Sequence, residues 1–308
     1  MIPKSEVQQE TKYREDLKQV CQLAYQKGLI SGYDGNFSLK VSNEFILITP
    51  KDSHKGLIEP KDFVIVDING NCISNGNKEP SSDLSIHLEV YKKRTDIKAI
   101  VHAHPQAVIS FSICGHNFNQ PVIPELILLL GEVPLIPYPG PNKEKETKLT
   151  ISCLEKHDAV ILERHGALTT GKNILNAFYK MEVLENAAKI MLYAQSLGDL
   201  KILDEIQIDE LIKERHKMHG KDLELREGSK LFQNTKQTLK LKNIFKRFTE
   251  KDSPVFQRIL TLINEIMLIT IQSTNYSQKL SNDEKEQLSR ELTSSLLHML
   301  LGRFTQKK

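Results

Sequence analysis

At 308 residues the chain can form one large or two ordinary domains, and its 39% hydrophobic and 26% charged residues exclude fibrous, peptide-scale and wholly disordered classes. The formal net charge of +3 is uneven: residues 205–308 hold 19 Lys and Arg against 14 Asp and Glu, residues 1–204 hold 23 against 25. Cys21, Cys72, Cys114 and Cys153 lie far apart with no CxxC pair, which argues against a disulfide framework or a cysteine zinc knuckle and points to the reducing cytoplasm.

In chain order, the start carries no apolar secretory core, and a helix is expected over 12–27, where Leu17, Val20, Cys21, Ala24 and Tyr25 recur at helical spacing before Gly28. Strands are expected at 37–41, 44–49 and 63–68, the last ahead of an Asn69-Gly70 turn. Ser81 or Ser82 after Pro80 is placed to cap a helix to about Arg94, with Leu84, His87, Leu88 and Tyr91 on one stripe. A strand follows over 98–104, then a helix at 109–113, a short strand at 133–138, a helix at 147–156 and a strand at 159–162. A long helix begins after Asn173, with Ile174, Ala177, Phe178, Met181, Leu184, Ala188, Met191 and Ala194 on its apolar face, and Gly198 closes it.

From 205 onward no strand is expected, only amphipathic helices broken near Gly220, Gly228 and Ser253-Pro254. The greasiest stretch, 255–271, is interrupted by Gln257, Arg258, Asn264 and Glu265, so no membrane span is expected. Its broad apolar stripe and a leucine series at 288–300 predict a helical extension, docked on the rest of the chain or on a second copy, with 236–247 exposed. The basic run at 230–251 matches no nucleic-acid fold signature and reads as a solvated helix face. Domains are therefore expected at 1–204 and 205–308.

The segment Val101-His102-Ala103-His104-Pro105 carries the most chemical information. On a strand, residues i and i+2 share a face, so His102 and His104 project together and Val101 and Ala103 project oppositely. Two imidazoles so placed suit zinc, and a third donor with an open position permits Lewis-acid chemistry. The best third donor is His165, where a strand ends and Gly166 frees the backbone to turn. His87 lies four residues after Asp83 on one helix face; it reads first as core packing, with orientation of that carboxylate as the alternative.

Several motifs in one order resemble the class II aldolase and adducin family over about residues 10–200: Gly35-Asn36-Phe37-Ser38, Ile48-Thr49-Pro50, Pro80-Ser81-Ser82-Asp83 with His87, Val101-His102-Ala103-His104, and Arg164-His165-Gly166-Ala167. The resemblance implies a three-layer α/β/α fold with a central, mainly antiparallel sheet, usually assembled as a homotetramer. It implies zinc or another divalent metal on His102, His104 and His165, and Asp83 as the acid/base carboxylate. Asn36, Thr49, Ser81 and Ser82 fall where the family binds substrate phosphate, and hydroxyls, an amide and backbone N–H groups suit an anion. The implied reaction is reversible aldol cleavage of a sugar phosphate through a metal-stabilised enediolate, with a small-molecule substrate and neither nucleic acid nor membrane as partner. For Asp83 to act as an acid/base group its pKa has to rise by burial, against the pull of the cation.

Departures from the pattern keep other reactions open. Aspartate at 83 matches the 4-epimerases rather than the fuculose-type aldolases, but Pro124 to Gly131 is apolar where epimerases carry a second acid. His219-Gly220 resembles a late epimerase pair, yet no tyrosine follows before Tyr276, and Lys51-Asp52 replaces small residues after Thr49-Pro50. Epimerisation, dehydration or decarboxylation on the same metal are the alternatives within catalysis. A non-catalytic adducin-like interaction protein is the alternative of another class, which has no need of three histidines and an acid in register.

Overall fold

Alternation along the strands dictates what each face of the sheet covers. In this computed structural model, residues 4–73, 78–115, 118–140, 143–220, 232, 261, 265, 281–289, 291 and 292 are described. The strands β1 (Asn36–Lys40), β2 (Phe45–Ile48), β3 (Val64–Asp67), β4 (Ala99–Ala103), β5 (Leu135–Ile136), β6 (Ala159–Leu162) and β7 (Gly166–Gly171) form one sheet in the order β3-β2-β1-β4-β7-β6-β5. All pairings are antiparallel except β5 with β6. Phe37, Leu39, Leu47, Val101, Ala103 and Ile161 bury one face together with α1 (Lys4–Gln26), α3 (Gln106–Ile113) and α6 (Ile174–Leu197). Ile46, Ile48, Val66, Ile100, Val160 and Leu168 bury the other with α2 (Leu84–Lys93) and α5 (Lys143–Leu154). The layering is α/β/α, and its period-two cores are those the sequence pattern implies.

Most expected elements are present. The exceptions are β7, whose Gly-Ala-Leu-Thr-Thr-Gly sequence was read only as a turn after His165, and α4 (Pro124–Leu129), read as a featureless apolar run. The expected cap of α2 is also corrected. Asp83, not Ser81 or Ser82, occupies the cap position, and it makes no side-chain cap bond. The Ser81 hydroxyl instead accepts from the Asp83 N–H at 3.3 Å, which leaves the Asp83 carboxylate for another partner.

Glu185, a buried acid on α6, accepts from the N–H groups of Ala107 (3.0 Å) and Val108 (3.2 Å), and so satisfies the first turn of α3 immediately after His104-Pro105. Helix α7 (Glu205–His219) lies on α4: Arg215, fully buried, donates to the carbonyls of Leu128 (2.8 Å) and Leu130 (3.2 Å), where α4 ends. By internal contacts the chain divides into Met1–Phe232 and Gln233–Lys308, a boundary C-terminal to the 204/205 division expected from sequence. The expected stripe at 255–271, the exposed segment 236–247 and most of the leucine series lie outside the described residues. Among the described residues no helix is long and apolar enough to cross a membrane.

Candidate functional site

Three adjacent strands in the middle of the sheet build the site. β4 ends at Ala103, so His102 and His104 emerge at one edge of the sheet, while Val101 and Ala103 point into the opposite core. β7 pairs antiparallel with β4, setting Ala167 opposite Ala103, so the β6–β7 hairpin returns its turn residue His165 to the same edge. That turn is tight, and Arg164 takes φ +62° to make it. The three imidazoles then stand with ring centroids 5.0–5.1 Å apart, and one ligand atom from each lies within 4.8 Å of the other two. A Cβ at Gly166 would collide with the Ala103 carbonyl and stand 2.8 Å from His104 Cδ2. Gly166→Ala is therefore expected to displace His104 and weaken metal binding by about 10–100-fold, the scale for disturbing a ligand's support. Metal titration of the variant checks this.

The donor chemistry fits a divalent cation. His102 donates its Nδ1–H to the Ala167 carbonyl at 3.1 Å, which leaves its Nε2 as a lone pair; His104 Nδ1 faces Asp34 Oδ2 at 3.5 Å, and the two Nε2 atoms stand 3.3 Å apart. Nitrogens bound at ~2.0–2.1 Å to a tetrahedral zinc are themselves about 3.3 Å apart. His165 Nδ1 lies 3.7 Å from Glu146 Oε1, so each imidazole has an oxygen acceptor behind it. Burial first, and the neighbouring imidazoles second, push His102 down to about 3, so it is a neutral ligand at ordinary pH. Asp34 and Glu146 were not anticipated from sequence.

Asp83 is held by a chain of hydrogen bonds whose direction is fixed throughout. Asn36 pairs with His102 across β1 and β4, and its Nδ2 donates to Asp83 Oδ2 at 2.8 Å. Asn36 Oδ1 must then accept, from His87 Nε2–H at 2.6 Å, and His87 Nδ1 accepts from the Ser38 hydroxyl at 2.6 Å. Ser38 in turn accepts from Tyr91 OH at 2.8 Å, and burial raises the Tyr91 pKa and keeps it a donor. His87 thus acts on the carboxylate through Asn36. Burial alone would raise the Asp83 pKa, but its electrostatic coupling to the imidazoles, His102 first, and the hydrogen bond from the Asn36 amide act the other way, and the balance lies below the ordinary value. Asp83 therefore rests as a carboxylate.

His87 has a consequence for stability. Burial pushes it down to about 4 from 6.5, against the attraction of Asp83. The unfolded chain therefore binds a proton that the folded chain refuses, and this contribution to stability is full above pH 6.5 and lost as pH falls toward 4. The slope for such a group approaches about 1.4 kcal/mol per pH unit. Urea midpoints at pH 7 and pH 5 are expected to differ less in His87→Gln than in the parent.

A cleft of about 640 Å³ opens over the imidazoles and Asp83, walled by Asp34, Asn36, Lys51, Lys55, Ser81, Ser82, Tyr138, Glu146 and Arg164 among others. Of the residues expected at a phosphate seat, Ser81 and Ser82 reach it. Thr49 does not: it is fully buried, and its hydroxyl accepts from the Phe37 N–H at 3.1 Å. Asn36 borders the cleft with its amide spent on Asp83 and His87. His219, the late epimerase-like histidine, donates to the Leu128 carbonyl instead of entering the cleft.

The family model for the class II aldolase and adducin N-terminal domain matches residues 15–192, which includes every residue of this site. The chain belongs to the class II aldolase and adducin family. Within that family it is 33% identical over 171 residues to an L-fuculose phosphate aldolase of Methanococcus maripaludis, covering 56% of this chain and 91% of the relative. It is 31% identical over 198 residues to a 3-oxo-tetronate 4-phosphate decarboxylase of Pectobacterium atrosepticum, covering 63% and 88%. Among solved structures, YgbL from Escherichia coli superposes with a TM-score of 0.61 at 28% identity, over 66% of this chain and 99% of that one. These likenesses carry the class II aldolase fold.

Proposed function

We propose that this class II aldolase family member is a metal-dependent lyase that cleaves a sugar phosphate by a reversible aldol reaction. The observation that carries the reading is the convergence of His102, His104 and His165, backed by oxygen acceptors, beside the oriented Asp83 carboxylate. A divalent cation held there, zinc by the all-imidazole donor set, supplies Lewis acidity to the carbonyl and hydroxyl oxygens of the substrate.

The chain's own groups supply orientation and the proton. In cleavage Asp83, resting as a carboxylate, takes the proton of the hydroxyl that becomes the aldehyde as the carbon–carbon bond breaks, and delivers it to the carbon next to the carbonyl of the other half; condensation runs the same transfers in reverse. Asn36 holds one oxygen of the carboxylate, leaving the other to face the cleft contents. Ser81 and Ser82 provide hydroxyl donors for the phosphate. An adducin-like scaffold has no use for this set, which supports catalysis.

The decarboxylase relative favours a second reading, in which the same site releases carbon dioxide from a 3-oxo acid phosphate. Both readings leave electron density next to a carbonyl, so the fold serves either. Metal analysis of the pure protein, followed by a screen of ketose and aldonate phosphates, separates them: an aldehyde product assigns the aldolase, carbon dioxide the decarboxylase. A metal-replete protein that yields neither overturns both. We further infer a homotetramer, which light scattering tests, and a cytoplasmic setting, which suits four free cysteines with Cys72 and Cys114 exposed.

A further inference from the structure

The four residues that the sequence offers as a phosphate seat carry no positive charge, and the fold spends two of them elsewhere. Asn36 serves Asp83 and His87, and Thr49 serves the backbone. Two neutral hydroxyls remain for a group that carries close to two negative charges at neutral pH. The cleft offers three cations to complete the seat: Lys51, Lys55 and Arg164. Lys51 is exposed, and the Arg164 side chain is half in solvent with Glu163 3.7 Å away.

Lys55 differs from both. It is 2% exposed, in a short 3-10 turn (Lys55–Leu57) seated on α1 next to the packed rings of Tyr25 and His54. Its Nζ donates to the Tyr33 carbonyl at 2.6 Å, and among the described residues it forms no ion pair. An ammonium has three donors, so two are left unspent on a group that has already given up its hydration. Burial lowers its pKa, and Cys21 beneath it and then the acids Asp34, Asp52 and Asp83 oppose that, none of the acids forming an ion pair with it among the described residues. A buried cation held in place by one carbonyl, with donors to spare on the wall of the cleft, lacks an anion.

We propose that Lys55 is the charged anchor for the substrate's phosphate and is the residue by which the cleft distinguishes phosphorylated from unphosphorylated sugars. The inference rests on the sugar-phosphate reading of the site, but its test does not require the reaction to be known.

Inorganic phosphate is the probe, titrated calorimetrically into the full-length protein with its metal and again after chelation, which separates phosphate at Lys55 from phosphate drawn to the metal centre. Lys55→Met removes a buried charge without removing bulk, a change that folds tolerate. It is expected to weaken phosphate binding by about 10–100-fold in both metal states, the loss for one charge-assisted bond, whereas Lys51→Met changes it by less than about threefold. Lys55→Gln, which keeps a donor for Tyr33, is expected to show the same loss and replaces the Met variant should that one not fold. Phosphate affinity unchanged in the Lys55 variants, larger losses from Lys51→Met, or no phosphate binding by the parent overturns the anchor. Phosphate binding that depends on Lys55 in a protein that cleaves no sugar phosphate would uphold the anchor and reject the lyase.

Discussion

Alanine at His104 is expected to strip the metal from the protein and abolish turnover with it. The side chain supplies one of three converging nitrogens, and its Nε2 stands 3.3 Å from that of His102. On the proposed metal reading, two imidazoles would hold a divalent cation far less tightly than three. The loss should exceed the ~10–100-fold that follows removal of an outer hydrogen-bonding partner. Metal per subunit after exhaustive dialysis, measured for parent and variant side by side, gives the answer. The fold should survive, because His104 is only partly buried at the end of β4 and the core lies under Val101 and Ala103. Equal metal content in the two proteins would remove this centre from the mechanism.

Asp83→Asn separates proton transfer from architecture. Asparagine can present its carbonyl to the Asn36 amide in place of the carboxylate oxygen, so the chain running back to His87, Ser38 and Tyr91 stays intact. What disappears is the group that takes and returns a proton. Turnover on the identified substrate is expected to fall by about two to four orders of magnitude, the span for a lost general acid/base, while metal content and unfolding midpoint change little. A variant that turns over normally would assign proton transfer to another residue.

How much of this was legible in the sequence depended on whether the deciding contacts were local. The strand at 159–162 and the helix after Asn173 declared themselves through apolar runs and spacing, and Asn173 caps as its type suggests, accepting from the Asn176 N–H at 2.8 Å. The paired histidines were legible because one strand carries both. β7 was hidden: its glycines and threonines look like a turn, but Thr169 and Thr170 are buried with their hydroxyls bonded to the carbonyls of Ala177 and Asp158. Thr49 was misplaced for the converse reason, since a hydroxyl beside a turn suggests a ligand contact and the backbone of β1 claimed it. Asp34, Glu146 and Lys55 carried no local signal. Which acid stands behind which imidazole, and which lysine ends in the cleft, is decided by residues 19 to 70 positions apart in the chain.

The sheet order separates two design problems. The imidazoles and the Asn36 relay spring from β1, β4 and β7 or the turns at their ends, the three central strands of the seven, where neighbours on each side fix backbone position. The groups that would meet the rest of a substrate, Lys51, Lys55 and Tyr138, stand on connections outside that trio. Substitutions in these peripheral segments can redraw what is admitted while the reactive centre keeps its geometry. An engineer seeking a new substrate for this protein therefore has a defined set of positions to randomise, 51–55 and 138–140, and a defined set to leave alone.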